Sequence, residues 1–229
     1  NISDPSTGLP ITIDTTAPAQ PVITQPVITT ETLIINDNRP VLEGTADPGS
    51  VVNFLVGGQE IGLTSTASTD GVFIFDFTNE EEAIFDGDYL VTVTATDAAG
   101  NTSAPSAGLA ITIDTSAPAV PVITTTIALT NDNTPTIEGT AEAGSTVELF
   151  NGSDSLGTVL AADNGTFSII SSELADANYT LTVTATDEAG NISDPSTGLP
   201  ITIDTTAPAQ PVITQPVITT ETLIINDNR

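Results

Sequence analysis

The chain contains no cysteine, histidine, methionine, tryptophan or lysine, and Arg39 and Arg229 are its only basic residues. Without cysteine and histidine it cannot form a thiolate or imidazole metal site, or a catalytic triad of the Ser–His or Cys–His type. Without lysine it cannot form a Schiff base or a P-loop. The 229 residues include 30 acidic ones and carry a formal charge of −28. Because nucleic acids are bound by cationic side chains, we expect no nucleic-acid partner.

Aromatic residues are also scarce, at 4% of the chain, and charged residues make up only 14%. The charged residues are therefore almost all acidic, but they are few for the length of the chain. With 38% hydrophobic residues and 17 glycines, the composition is that of a globular protein and not of a disordered one. No apolar run approaches the roughly 20 residues of a membrane helix, so we expect no membrane insertion in this segment.

The chain repeats itself on two length scales. Residues 191–229 are identical to residues 1–39, so the longer period is 190 residues, and we expect the chain to be part of a longer array. Within this period, Asp-Thr-Thr-Ala-Pro at 14–18 recurs as Asp-Thr-Ser-Ala-Pro at 114–118 and again unchanged at 204–208, with spacings of 100 and 90 residues. Units of this length are too long for solenoid repeats but suit independent domains in tandem.

The three copies of this pentapeptide divide the chain into four segments. We predict the last strand of a preceding repeat at 1–13, a first repeat at 14–113, a second repeat at 114–203 and the start of a following repeat at 204–229. We expect a monomeric chain whose partners are the neighbouring identical repeats.

Each repeat contains a series of short β-strand patterns. Residues 179–186 alternate Tyr, Leu, Val and Ala with four threonines, and residues 89–96 keep the same inward parity. This period-two alternation in β-favouring residues indicates a strand with one buried face. Six further strand-like runs in the second repeat are 121–126, 136–141, 146–150, 156–161, 166–170 and 199–203. We therefore predict an all-β fold of tandem, seven-stranded, antiparallel Ig-like β-sandwiches in a linear array, with strands A to G.

The only two tyrosines, Tyr89 and Tyr179, stand at the start of strand F. Ig-type sandwiches place a tyrosine corner there, in which the hydroxyl bonds back to the backbone. The Cys–Trp–Cys signature of antibody domains is absent. Asp86 and Asp88 flank the first of these corners, and we interpret them as turn residues.

Four motifs recur in a fixed order: Asp-Thr-x-Ala-Pro, Asn-Asp-Asn-x-Pro, Glu-Gly-Thr-Ala and Val-Thr-Ala-Thr-Asp-x-Ala-Gly-Asn. This pattern resembles the bacterial Ig-like repeats of giant bacterial surface adhesins, including the extender regions of RTX and biofilm-associated adhesins. The resemblance covers both complete repeats and both partial ones. It implies a cell-surface location, type I secretion in Gram-negative bacteria and linkers rigidified by Ca²⁺.

The topology of a seven-stranded sandwich brings acidic residues to the junction between repeats. The upper end of a sandwich carries the incoming linker and the B–C, D–E and F–G loops, and the lower end carries the A–B, C–D and E–F loops. Asp114, Glu142, Asp187 and Asn191 then lie at the upper end of the second repeat, opposite Asp37 at the lower end of the first. Grouping four carboxylates without a base is costly, and a Ca²⁺ ion with six to eight oxygen ligands would relieve the repulsion.

The same reasoning applies to the other two junctions. Further predicted ligands are Asp14, Asp47, Asp97 and Asn101 at the upper end of the first repeat, and Asp132 and Asp204 at the far end of the second.

Other interpretations of these residues stay open. Aspartate and asparagine are common turn residues because they bond to their own backbone, so each acid taken singly is better explained as a turn former. Paired carboxylates also occur in glycosidases, but these lie at linkers and loop tips instead of a cleft, and we expect no enzyme activity. The alternating threonines of 180–186 are found on ice-binding faces and equally on a solvated sheet face.

The repetition favours a structural role, because near-identical copies supply length. We predict an extracellular extender (spacer) segment of a calcium-dependent bacterial cell-surface adhesin, rigidified by Ca²⁺ at its junctions and projecting a distal adhesive tip. The alternative is a ligand-binding Ig-like module that recognises a host receptor or glycan through its loops. An exposed aromatic platform would favour the alternative, but most of the phenylalanines fall on inward strand positions and tryptophan is absent.

Overall fold

The computed structural model describes residues 11–26, 32–77 and 84–212. All regular secondary structure in these residues is β-strand, and it forms two sandwiches. The first sandwich contains β1 (Val22–Gln25), β2 (Leu33–Ile35), β3 (Val41–Thr45), β4 (Val51–Val56), β5 (Gln59–Thr66), β6 (Val72–Asp76), β7 (Gly87–Thr96) and β8 (Leu109–Ile113). The second contains β9 (Val122–Ile123), β10 (Leu129–Thr130), β11 (Thr136–Thr140), β12 (Thr146–Asn151), β13 (Asp154–Leu160), β14 (Thr166–Ile170), β15 (Ala177–Thr186) and β16 (Leu199–Ile203). Among the described residues there is no helix long and apolar enough to cross a membrane.

Both sandwiches have the same sheet topology. A three-stranded sheet has the order β1-β3-β6 in the first sandwich and β9-β11-β14 in the second. The facing five-stranded sheet has the order β2-β8-β7-β4-β5 in the first and β10-β16-β15-β12-β13 in the second. The predicted all-β fold of tandem Ig-like sandwiches is therefore confirmed.

The structure differs from the predicted strand set in the first strand of each repeat. This strand divides in two, so the described residues form eight strands per sandwich instead of seven. In the second sandwich β9 pairs antiparallel with β11, whereas β10 pairs parallel with β16. The first sandwich repeats this arrangement with β1 on β3 and β2 on β8. One segment that crosses between the sheets covers an edge of each, and unpaired edges are sites of aggregation.

Strand alternation builds the core of each sandwich. Leu181 and Val183 point inward from β15 and are fully buried. The first sandwich has a more aromatic core, in which Phe54 packs edge to face against Phe75 and Phe77 with ring centroids 5.1 and 5.5 Å apart. Such edge-to-face pairs stabilise beyond the burial of their area.

The glycine of the Glu-Gly-Thr-Ala motif is required by close packing. Gly139 in β11 lies against the Val122 carbonyl and the ring of Phe167, and a Cβ at this position would overlap both. Gly44 occupies the same environment against Phe73 in the first sandwich. The central strand of the smaller sheet therefore lacks a side chain at the point where a phenylalanine ring and a backbone carbonyl of its neighbours lie against it.

Both predicted tyrosine corners are confirmed. The Tyr89 hydroxyl donates to the Phe85 carbonyl oxygen over 2.8 Å, and the Tyr179 hydroxyl donates to the Ala175 carbonyl oxygen over 2.9 Å. Each bond fastens the E–F loop to the start of strand F, at the lower end where the chain leaves the sandwich.

Two buried serines fasten the F–G loop at the upper end. In the second sandwich Ser193 Oγ accepts from the Ala185 amide over 3.0 Å, and Ser196 Oγ accepts from the Val183 amide over 3.1 Å. Each hydroxyl donates in turn to the carbonyl oxygen of the next residue. The first sandwich has the same pair of bonds. These hydroxyls replace the ladder bonds that strand F lacks before strand G begins.

Candidate interdomain junction

The linker between the sandwiches is bonded to both of them at one residue. The Asp114 amide donates to the Ile35 carbonyl oxygen at the lower end of the first sandwich over 2.9 Å. The Asp114 carbonyl oxygen accepts from Asn191 Nδ2 in the F–G loop of the second sandwich over 2.8 Å. Asp114 Oδ1 accepts from the Ser116 amide, which forms an Asx turn. Both sandwiches are therefore bonded to the backbone of one linker residue.

The F–G loop of the second sandwich organises Asp187 and Asn191. Asp187 Oδ1 accepts from the Asn191 amide over 2.8 Å, and Asp187 Oδ2 accepts from Asn191 Nδ2 over 2.9 Å. Asn191 Nδ2 thus donates to Asp187 and to Asp114, so the loop and the linker share a donor. Glu142 in the B–C loop is exposed, and its carbonyl oxygen accepts from the amide and hydroxyl of Ser145.

The lower end of the first sandwich faces this loop. Asn36 Nδ2 lies 3.6 Å from the position that a Cβ on Gly190 would take. Asp37 is exposed, and its Oδ1 accepts from the Arg39 amide over 2.8 Å. The A–B loop of one sandwich and the F–G loop of the next are therefore neighbours.

The upper end of the first sandwich has a related arrangement with one additional bond. Asp14, Asp47 and Asp97 line one open surface depression. Asn101 Nδ2 donates to Asp97 Oδ2 over 2.9 Å and to the Asp14 carbonyl oxygen over 3.2 Å. Asp47 Oδ2 also accepts from the Ala19 amide over 2.9 Å. The hydrogen bond from the Asn101 side chain is the main reason that the pKa of Asp97 lies below its ordinary value.

The far end of the second sandwich shows the outgoing half of a junction. The Asp204 amide donates to the Thr130 carbonyl oxygen, and Asp204 Oδ1 accepts from the Thr206 amide. Asp132 Oδ1 accepts from the amide and hydroxyl of Thr134. Beyond Asp204 the structure describes the chain as far as Val212.

The described residues contain no group of three or more acidic side chains placed together as metal ligands. The structure brings Asp187 and Asn191 against Asp114, and gathers Asp14, Asp47 and Asp97 around one depression. The donors are hard oxygens of the type that Ca²⁺ takes, and Arg39 is the one base in the described part of the chain. The donor chemistry fits a Ca²⁺ ion, and the calcium site stays a prediction.

Two further aspartates hold the linkers. Asp86 Oδ1 accepts from the amide and hydroxyl of Thr115, over 3.1 and 2.8 Å, and Asp86 Oδ2 accepts from the Ser116 hydroxyl over 2.9 Å. Asp176 accepts the equivalent three bonds from Thr205 and Thr206.

The hydrogen bonds that Asp86 and Asp176 accept also lower the pKa of both carboxyl groups. The hydroxyl bond from Thr115 is the main cause that lowers the pKa of Asp86, and the backbone bond from Thr205 is the main cause for Asp176. From the sequence, Asp86 was interpreted as a turn residue. The available signal was an aspartate three positions before the corner tyrosine in both repeats.

An apolar cavity of about 230 Å³ lies in the lower part of the first sandwich. The described residues that form its walls include Leu42, Phe54, Tyr89 and Ile111, and the surface they present is apolar. No carboxylate or hydroxyl pair from the described residues lines this cavity, so its described walls lack the groups needed for acid–base or nucleophilic chemistry.

Comparison with known proteins identifies the family. The family model described as "Bacterial Ig-like domain" matches residues 28–115 and 124–205. Exoglucanase B of Cellulomonas fimi is 32% identical over 238 aligned residues, which cover 93% of this chain and 20% of that enzyme. The chain therefore spans about a fifth of the length of this relative.

Two solved structures share this fold. The fibronectin(III)-like modules of Clostridium thermocellum CbhA superpose with a TM-score of 0.51 at 18% identity, over 80% of this chain and 94% of that one. A marsupial T cell receptor superposes with a TM-score of 0.53 at 8% identity, over 79% and 73%. The BSP domain of a biofilm-associated protein is 23% identical over 79% of this chain and 32% of that one, with a TM-score of 0.32.

Proposed function

Because the chain belongs to the bacterial Ig-like domain family, we propose that it is a spacer segment of an extracellular bacterial surface adhesin. In this role its sandwiches stack end to end and carry a distal adhesive tip away from the cell. The segment itself is non-catalytic and contacts its neighbouring repeats.

The observation that carries this proposal is the double attachment of Asp114. Its amide bonds to Ile35 of the first sandwich, and its carbonyl oxygen bonds to Asn191 of the second. A joint of this kind keeps neighbouring sandwiches in contact through one residue, so each repeat adds its own length to the array. Long flexible linkers between domains would instead allow the array to coil.

We propose that Ca²⁺ stiffens this joint. Asp114, Asp187 and Glu142 lie at the upper end of the second sandwich, with Asp37 across the junction. Mutual repulsion of these carboxylates opposes a close joint. A divalent cation bound by their oxygens would attract the carboxylates on both sides and so hold the joint together. At the upper end of the first sandwich, Asp14, Asp47, Asp97 and Asn101 would hold an ion in the same way. Asp132 and Asp204 would contribute to the next one.

A receptor- or glycan-binding role has less support. Phe54, Phe73, Phe75 and Phe167 are in the cores of the two sandwiches. Phe85 is the exposed aromatic side chain among the described residues, at 86% exposure, and a single ring does not form a binding platform.

The direct test is the distribution of distances between the two sandwiches. The chain has no cysteine, so spin labels can be placed on Thr64→Cys and Ser168→Cys, which are exposed positions in different sandwiches. We expect pulsed electron resonance to give a narrower distribution in 10 mM Ca²⁺ than in EDTA, with Mg²⁺ a poor substitute. Equal widths in Ca²⁺ and EDTA would remove calcium from the mechanism.

A matched pair of variants tests whether the narrowing caused by Ca²⁺ depends on the proposed ligand Glu142. Glu142→Gln removes a proposed ligand and should reduce the narrowing caused by Ca²⁺. Glu188→Gln removes the same charge from the neighbouring F–G loop and should leave the narrowing intact. Extracellular calcium modules bind at about 10⁻⁴–10⁻³ M, so 10 mM Ca²⁺ would add up to about 2.7 kcal/mol of stability per site. A melting temperature that is the same in Ca²⁺ and EDTA would contradict calcium binding.

A further inference from the structure

The lower end of each sandwich holds its outgoing linker by bonds that need no metal. At the first junction, Asp86 accepts three hydrogen bonds from Thr115 and Ser116, and the preceding Asp114 amide is bonded to Ile35. Four bonds therefore fix three consecutive linker residues to the first sandwich. The Tyr89 corner, next to Asp86 in the chain, fastens the loop from which the carboxylate projects.

The second sandwich repeats the arrangement atom for atom. Asp176 accepts from the amide and hydroxyl of Thr205 over 2.9 and 2.8 Å and from the Thr206 hydroxyl over 2.8 Å. The Asp204 amide is bonded to Thr130. All of these groups lie between residues 130 and 206, so this set of bonds is complete without any residue of a following sandwich.

The other side of the joint is held differently. Ala117, Pro118 and Ala119 form no backbone hydrogen bond with any described residue. Among the described residues, the one hydrogen bond from the second sandwich to residues 114–119 runs from Asn191 Nδ2 to the Asp114 carbonyl oxygen. A change in the angle between the sandwiches by rotation about residues 117–119 therefore breaks that one hydrogen bond, and it also disturbs the packing of the buried Pro118 and the approach of Asn36 to Gly190.

We propose that Asp86 and Asp176 are calcium-independent linker anchors, which make the first three linker residues a rigid extension of the preceding sandwich and place the pivot of each joint at the following Ala-Pro-Ala segment. The role of the anchors in an extended array rests on the proposed spacer function, whereas the anchor bonds themselves do not. Calcium would then act on one side of the pivot, at the upper end of the next sandwich, while the lower side is already fixed. The lowered pKa of both carboxylates agrees with anions held by several donors.

The matched comparison is Asp86→Ala against Asp88→Ala, both studied in EDTA. Both changes remove one negative charge near the start of β7: Asp86 directly precedes the strand, and Asp88 is its second residue. Asp88 accepts from the Thr112 hydroxyl within its own sandwich and makes no bond to the linker. Asp86→Asn retains an acceptor for Thr115 and serves as the conservative variant.

Two measurements decide the matter. Amide hydrogen exchange at Thr115 should accelerate about tenfold in Asp86→Ala, as expected for the loss of a charge-assisted hydrogen bond. It should change little in Asp88→Ala and to an intermediate degree in Asp86→Asn. The distance distribution between labels at residues 64 and 168 should broaden in Asp86→Ala only.

The outcomes are separable from those of the calcium experiment. Unchanged exchange at Thr115 in Asp86→Ala, or equal broadening in Asp88→Ala, would overturn the anchor. Because these measurements exclude calcium, the anchor can fail while Ca²⁺ still narrows the distribution, and the calcium proposal can fail while the anchor holds.

Discussion

Replacing Gly139 with alanine would place a Cβ in space already occupied by the Val122 carbonyl and the Phe167 ring. Cε1 of Phe167 would lie 2.6 Å from the new atom, and the carbonyl oxygen would be closer still. Val122 belongs to β9, which pairs with β11 at only two positions. Phe167 is buried and cannot move without disturbing the core. We expect β9 to detach from the smaller sheet.

The magnitude follows from the nature of the clash. Overpacking in a well-packed core costs about 1–3 kcal/mol, and Gly139→Ala should fall near the upper value because one of the clashing groups is backbone. In a domain of this size each kcal/mol lowers the melting temperature by about 4–8 °C. The second sandwich should therefore melt about 10–20 °C lower. Gly144→Ala is the control, because its Cβ would meet nothing within 4 Å and its left-handed backbone costs only about 1 kcal/mol.

Differential scanning calorimetry of the whole chain is the assay. Gly139→Ala should shift the transition of the second sandwich alone, and Gly44→Ala should shift that of the first. If Gly139→Ala melted at the same temperature as Gly144→Ala, the close approach of β9, β11 and Phe167 would not exist in solution.

Four further predictions can be checked on the same chain. Ser171→Ala should leave the melting temperature unchanged or raise it, because the buried Ser171 hydroxyl has no hydrogen-bond partner among the described residues. Ser196→Ala should instead cost about 1–3 kcal/mol in denaturant unfolding, since it leaves the buried Val183 amide without its side-chain acceptor. Because the pKa of Asp176 is lowered in the fold, its contribution is present above about pH 4 and is lost as the pH falls through the lowered value. Asp176→Asn should therefore reduce the acid dependence of the melting temperature, and an unchanged dependence would contradict the anchor bonds. Asp114→Ala should weaken calcium binding in calorimetric titration while the β-sheet circular dichroism in calcium is retained; loss of that signal would make Asp114 a folding residue.

The long strands and the tyrosine corners were predictable because their signals are local. The Thr-Val-Thr-Ala-Thr pattern of β15 fixes its inward and outward faces over many residues. Tyr179 precedes that alternation directly, so its place at the start of strand F follows from the sequence. The core residues of β15 are the ones that alternation assigns to the inner face.

The division of the first strand had no such signal. β10 is two residues long, Leu129 and Thr130, and its leucine is 67% exposed. A period-two pattern cannot be recognised in two residues. The choice of β16 as its partner depends on which sheet edge is open, and that is a property of the folded sandwich.

The residues that meet at the junction were predicted from the order of the strands. Topology alone brings Asp114, Asp187 and Asn191 to one end of the sandwich. The role of Asp86 did not follow from its local sequence, because an aspartate that bonds its own turn and one that bonds a distant linker have the same local signature. Its recurrence as Asp176, three positions before the second corner tyrosine, was the available signal. The two kinds of aspartate are distinguished by the position of the donor, which for Asp86 is Thr115, 29 positions further along the chain.

Two sets of junction carboxylates differ in how hydrogen bonds use their oxygens, whereas Asp97 and Asp187 accept on both oxygens within their own F–G loops. Asp86 and Asp176 accept on both oxygens from linker donors, and so they act as structural acceptors. Asp14, Asp47 and Asp114 each accept an amide on one oxygen, and the other oxygen has no hydrogen bond from the described residues. A cation that needs six to eight oxygens would be collected by the second group, at the upper end of a sandwich. The first group would hold the lower end whether or not the cation is present, so loss of calcium should loosen one half of each joint and leave the other half closed.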